Sequence, residues 1–205
     1  VAALGEGLLL AAALRWSNID LARAAALTLA VVIFQALLGK WTVTMLLKPV
    51  IVMGHLLGGM LTFSLLVWMA WRATVQPIVL VDAPALRRWT FGAIGLLAVQ
   101  IALGGWVSAN YAALACGAGG WVTESHHYVD FPRCVGEWWP QADFREGFVL
   151  WRGVGVDYEG GVLDGAARIA IQLAHRVMAI AVFAYLIAFS ARLLRTPGLR
   201  GWAIA

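Results

Sequence analysis

Four stretches of this chain each run for more than twenty residues with almost no charge: 24–45, 50–71, 89–112 and 167–189. About twenty apolar residues in helical conformation cross a bilayer, and inside lipid a backbone must satisfy its own hydrogen bonds, so few other folds remain open. The runs are continuous rather than alternating, which points to helices and not to the strands of a barrel. Composition agrees, with 62% hydrophobic residues, 13% charged residues and a mean hydropathy of +0.81. A soluble domain is nearer about half apolar and about a quarter charged. The predicted fold is an all-α integral membrane protein, an antiparallel transmembrane helix bundle of about five spans.

The fifth span is 1–14, whose 14 residues are too few to cross alone. Val1 is not an initiator Met, Glu6 interrupts the first apolar run, and no basic segment of the kind that opens a signal peptide precedes it. GLRGWAIA at the far end reads as the start of a further helix. The chain is therefore expected to be an internal portion of a longer protein.

Orientation follows the arginines. Connections 15–23, 72–88 and 192–200 hold eight basic residues against Asp20 and Asp82, which assigns them to the cytoplasm. The hairpin 40–49 and the long loop 113–164 fall on the other side. That loop carries eight acids against Arg133, Arg145 and Arg152, although Lys40 and Lys48 run against the trend. The net charge of +4 is a matter of topology, and no clustered basic face suggests nucleic acid.

Two histidines interrupt the apolar runs. His55 lies six residues beyond Pro49, and His175 lies six residues beyond Ile169, where the last run begins. At the helical rise, each sits roughly 9 Å below the outer boundary. An ionisable side chain in a membrane helix marks a pathway, a cofactor or a paired charge, and neutral imidazole is a common heme and metal ligand. Gly54, Gly58 and Gly59 around His55 would clear space for a flat macrocycle, or would simply let helices pack closely. Arg176 follows His175 and suits a heme propionate, the alternative being a guanidinium reaching to the interface. Gln172 shares the face of His175 and could bond a cofactor edge, the imidazole or a neighbouring helix.

QALLGKW (35–41) and QIALGGW (100–106) share Gln-x-x-Leu-Gly-x-Trp, a weak internal repeat near the outer ends of two spans. Cys116 and Cys134, the only cysteines, both fall in the outer loop. A disulfide fits an oxidising compartment, with a redox-active pair as the alternative. His126 and His127 read as solvated loop residues. The aromatic segment 138–151 is amphipathic enough to lie along the interface as a lid, or to act as an interfacial anchor.

The stretches QALLGKWTVTMLLKPVIVMGHLLGGMLTFSLL, IALGGWVSANYAALAC, FPRC-x-x-x-WWP, YEGGVLD and ARIAIQLAHR together resemble the heme A synthase family of the proteobacterial and mitochondrial type. The resemblance covers nearly the whole chain in order. It implies an eight-helix membrane enzyme of two four-helix halves that converts the C8 methyl of heme O to a formyl group, yielding heme A for cytochrome oxidase. Residues 1–71 would be the remainder of the first half, 72–88 a cytoplasmic linker, and 89–205 the first part of the second half. His55 and His175 would be axial ligands to heme iron, one in each half, with partner histidines on helices outside this chain. Arg176 and Gln172 would complete the cofactor contacts, and Gln172 stands where the first-half motif has a glutamate. Heme b in the second half and heme O as substrate are the implied cofactors. The resemblance further implies the bacterial inner membrane, with the loop 113–164 periplasmic. Heme O synthase, cytochrome oxidase assembly factors and a second copy of the chain are the candidate partners. GAGGWVTESHHYV between the cysteines reads as an insertion, because it widens their spacing beyond that of the family. Two rivals stand beside this reading. One is a cytochrome b in which His55 and His175 share a single heme; the other is an assembly factor without a cofactor.

Overall fold

The computed structural model describes residues 19–74, 83–117, 130–196 and 199. The expected span 1–14, His126, His127 and nearly all of the insertion lie outside these residues. Four long helices are described: α1 (Ile19–Thr44), α2 (Pro49–Thr74), α3 (Ala83–Ala109) and α5 (Gly165–Arg195), with the single turn α4 (Phe144–Gly147) before the last. All four are long and apolar enough to cross a membrane. The described residues contain no strand, only an isolated bridge between Cys134 and Glu137. The protein is an integral membrane helical bundle.

The helices run past the apolar windows that announced them. Arg72 lies in the last turn of α2, and Arg192 and Arg195 in the last turn of α5. Cations complement the carbonyl end of a helix dipole, and long arginine stems can reach toward water, so a charge need not end a membrane helix. α3 starts six residues before the expected position and carries Arg87 and Arg88 within its first turns. The connection between α2 and α3 is correspondingly shorter than 72–88. At the other end, Asp164 caps α5 by accepting from the Ala167 amide at 2.8 Å.

The long helices form a row, α1 against α2, α2 against α3, and α3 against α5. Large apolar side chains face outward along it, Ile180 and Phe183 at 69% and 68% exposure among them, as lipid-facing residues do. The main core cluster is at the loop end, where Trp106, Val107, Ala112, Leu163, Ala167 and Ile171 are buried together against Val50, Met53 and Phe148.

The loop between α3 and α5 fastens both hairpins. Trp106 on α3 donates its indole N–H to the Gly147 carbonyl at 2.8 Å. The Asp143 amide bonds the Ala166 carbonyl at 3.0 Å, and the Tyr158 amide bonds Leu46 in the α1–α2 turn at 3.2 Å. Leu46 and Leu47 have φ of 51° and 58°, an uncommon conformation for bulky residues, and it leaves the Leu46 carbonyl facing the loop. Lys48, which seemed misplaced by charge, is buried at 2% exposure, with its ammonium 3.5 Å from the Trp151 ring centroid and donating to the Gly153 carbonyl. It is a fastener between turn and loop rather than a solvated charge. Cys116 and Cys134 form a disulfide, buried beside Leu173 of α5.

A Cβ at Gly147 would lie 2.7 Å from the Ala167 carbonyl oxygen and 3.3 Å from Ile171 Cγ1, against the rigid first turns of α5. Gly147→Ala is therefore expected to destabilise the loop end by about 1–3 kcal/mol. A lower thermal midpoint in detergent, with faster proteolysis within the loop, would register it; an unchanged midpoint would contradict the packing described.

Candidate functional site

Each histidine sits against a glycine of the preceding long helix. A Cβ placed on Gly39 of α1 would meet His55 Cε1 at 3.3 Å, and a Cβ on Gly104 of α3 would meet His175 Cε1 at 3.3 Å. Any larger residue would push the imidazole away. Gly39 and Gly104 hold the same place in the two Gln-x-x-Leu-Gly-x-Trp segments, and each lies five residues before the end of its helix. Both imidazoles thus lie at one depth, about 7–8 Å from the loop end at the helical rise. The repeat that looked weak in sequence is a repeated helix pair, with glycine on the first helix and histidine on the second.

The pairs are kept apart. His55 faces α1 and His175 faces α3, while α2 and α3 pack on each other through Leu56 and Met53 against Gly105. The structure does not bring the two histidines into one interface.

The glutamines four residues before these glycines complete each site. The Gln100 amide nitrogen lies 3.2 Å from His175 Nδ1 and 3.4 Å from Nε2, and donates to the His175 carbonyl at 3.4 Å. Gln35 leans instead into the space left by Gly58, where a Cβ would collide with its side chain. Gly58 is three residues after His55, and the corresponding position after His175 is Met178. The difference is one of volume. Gln35, Gln100 and Gln172 each bury a side-chain oxygen with no hydrogen-bond partner. Gln172 was the amide singled out from the sequence, yet the one that reaches His175 comes from α3.

Arg176 turns to the loop. Its guanidinium donates to the Asp130 carbonyl at 3.0 Å and to the Arg133 carbonyl at 2.7 Å, and lies 5.7 Å from the Phe131 ring centroid. It holds the chain next to Cys134 onto α5.

These residues fit an axially ligated heme. Among the described residues no group of three or more His, Cys, Asp or Glu could cage a bare ion. A lone imidazole suits iron that arrives with equatorial ligands of its own. On α2, Gly59 lies one turn beyond His55 on the same face, and a Cβ there would meet nothing within 4 Å. Beside His175, unpartnered amide oxygens offer acceptors in an otherwise apolar interface.

Replacing Arg176 with Leu removes both bonds to the loop. With about 1 kcal/mol for each of the two bonds, reduction of the Cys116–Cys134 disulfide by mild thiol should quicken by up to roughly thirtyfold. Mass-shifting alkylation of the freed cysteines reads this directly.

The family model for COX15-CtaA, cytochrome oxidase assembly protein, matches residues 2–205. A heme A synthase from Shewanella oneidensis is 37% identical over 175 residues, 84% of this chain and 49% of that protein. This chain therefore spans about half the length of that curated relative. No solved structure matches. With a helical membrane bundle, two like histidine sites and a family match over nearly its whole length, the chain belongs to the COX15-CtaA family of cytochrome oxidase assembly proteins.

Proposed function

We propose that this chain is part of a heme A synthase, in which His175 holds a resident heme b and His55 lies at the site that receives heme O. The observation that carries the reading is the repeated seating of an imidazole on a glycine at one depth in two adjacent helix pairs. The relative from Shewanella oneidensis bears the name of that activity. When bound, the heme iron supplies the redox chemistry that turning the C8 methyl of heme O into a formyl group requires.

The protein's own residues bind and orient. His55 and His175 would each hold a heme through the imidazole. Gly39 and Gly104 let each ring lie close to the facing backbone, and Gly59 leaves room beside His55. The described part of the loop packs against the end of the bundle nearest the imidazoles, Leu163 and Phe148 joining Trp106, Val107 and Ile171. No side chain here is assigned as an acid or base, since His55 and His175 are committed to iron. The arginine-rich ends of the helices support an orientation in which the loop is on the periplasmic face of a bacterial inner membrane. A single-heme cytochrome would need both imidazoles to face one gap, whereas they lie in separate interfaces.

The test is to co-express the complete reading frame with a source of heme O and to identify the extracted hemes by mass. Heme A or its hydroxylated precursor is the expected product, lost in His55→Ala and in His175→Ala. Bound heme without either product would leave a cytochrome; a preparation devoid of heme would leave an assembly factor and overturn the proposal.

A further inference from the structure

We infer that the finger 130–139 of the loop is a lipid-contacting element, lying at the boundary between headgroups and acyl chains in the leaflet at the loop end. Its partner is the phospholipid surface, and the inference is independent of the heme reading.

The finger has one seated side and one bare side. Cys134 and Glu137 bond each other's backbones at 2.8 Å and 3.2 Å, turning the chain at Val135 and Gly136, whose φ angles are 56° and 82°. Positive φ at both central residues belongs to a tight hairpin turn. The Asp130 carboxylate accepts from the Gly136 amide across the finger. On the seated side, the Cys116–Cys134 disulfide is buried against Leu173 and Ile169 of α5, and Arg176 holds the Asp130 and Arg133 carbonyls. The bare side is aromatic. Phe131, Trp138 and Trp139 are 74%, 68% and 66% exposed, with Val135 exposed at the turn.

The place of the finger on α5 says what covers that bare side. Ile169, Leu173 and Arg176 are spaced four and three residues apart, so they share one face of the helix. The same stripe continues through Ile180, Phe183 and Ile187, exposed at 69%, 68% and 54% as lipid-facing residues are. The finger therefore occupies the top of a stripe whose lower part faces the bilayer.

Its depth points the same way. Sixteen residues separate Arg176 from Arg192 in the last turn of α5, about 24 Å at the helical rise. The hydrocarbon core is about 30 Å thick, so with Arg192 at one boundary Arg176 starts about 6 Å inside the other. A guanidinium there needs acceptors, and loop carbonyls beside lipid need donors. Each supplies the other, with the arginine stem reaching toward the boundary. The aromatic rings on the same short finger fall at the level where tryptophan is favoured, with one edge apolar and one wet. The Arg133 guanidinium, 5.6 Å from the Trp138 ring centroid, adds a cation that lipid phosphates can meet.

The experiment uses the complete reading frame in its own membranes. A benzoylphenylalanine photo-crosslinker replaces Phe131, Trp138 or Trp139 in turn, and the adducts are identified by mass. Phospholipid adducts are expected at Trp138 and Trp139. Adducts confined to another segment of the protein, a second copy or a different protein would make the finger a protein-docking face and overturn the inference. Failure to capture any phospholipid would overturn it too. Where the crosslinker variants do not accumulate, tryptophan emission in vesicles of brominated phosphatidylcholine decides. Replacing both residues, Trp138→Phe with Trp139→Phe, should lower the lipid-quenchable emission by about the share of two indoles in eleven. An unchanged quenchable share would place both rings away from lipid.

Discussion

An imidazole can lie between two packed transmembrane helices only where the opposite backbone gives way, and the loop end of this protein is arranged around that concession. Gly39 yields to His55 and Gly104 to His175, with a notional Cβ 3.3 Å from the ring in both cases. Close approach also keeps the rings from rotating freely, which a side chain with two torsions would otherwise do in a loosely packed interface. The glycine is as much a part of each site as the histidine.

That arrangement needs the helix pairs to stay in register, and the long loop supplies the restraint. It takes a backbone bond from each side, Tyr158 to Leu46 in the first pair and Asp143 to Ala166 in the second. Lys48 reaches from the first turn into the loop, and Trp106 reaches from α3 to Gly147. Two consecutive leucines in left-handed conformation cost roughly 1–2 kcal/mol each. They make the tight α1–α2 turn possible and leave a carbonyl where the loop can use it. The disulfide beside Leu173 and the Arg176 bonds then fasten the loop to α5.

Within the site, the types of residue were legible and the partnerships were not. His55 and His175 stand out because an ionisable group in a long apolar run is rare and costly. The glycines beside His55 in the chain drew notice for the same reason, yet the glycine that touches its ring is Gly39, on the neighbouring helix. Gln172 was a reasonable candidate by helical spacing, but helix rotation placed Gln100 at the ring instead. A signal for Gln100 was present in the Gln-x-x-Leu-Gly-x-Trp repeat, whose glutamine and glycine lie one turn apart on one face. It looked weak because a short apolar match carries little information until a partner is seen across from it.

The sequence by itself determined that the chain is helical and membrane-spanning, and where the apolar centres of its long helices lie, though their ends run up to six residues further. These follow from two requirements that act locally: lipid admits no unpaired backbone, and arginines gather on one side. Only the tertiary structure decided that the two histidines occupy separate interfaces, that Lys48 is a buried fastener, and that Arg176 grips the loop carbonyls. Those depend on how helices rotate about their axes and which surfaces they bury. Rotation is set by packing across helices, as where Gln35 enters the space left by Gly58, and no linear pattern records it.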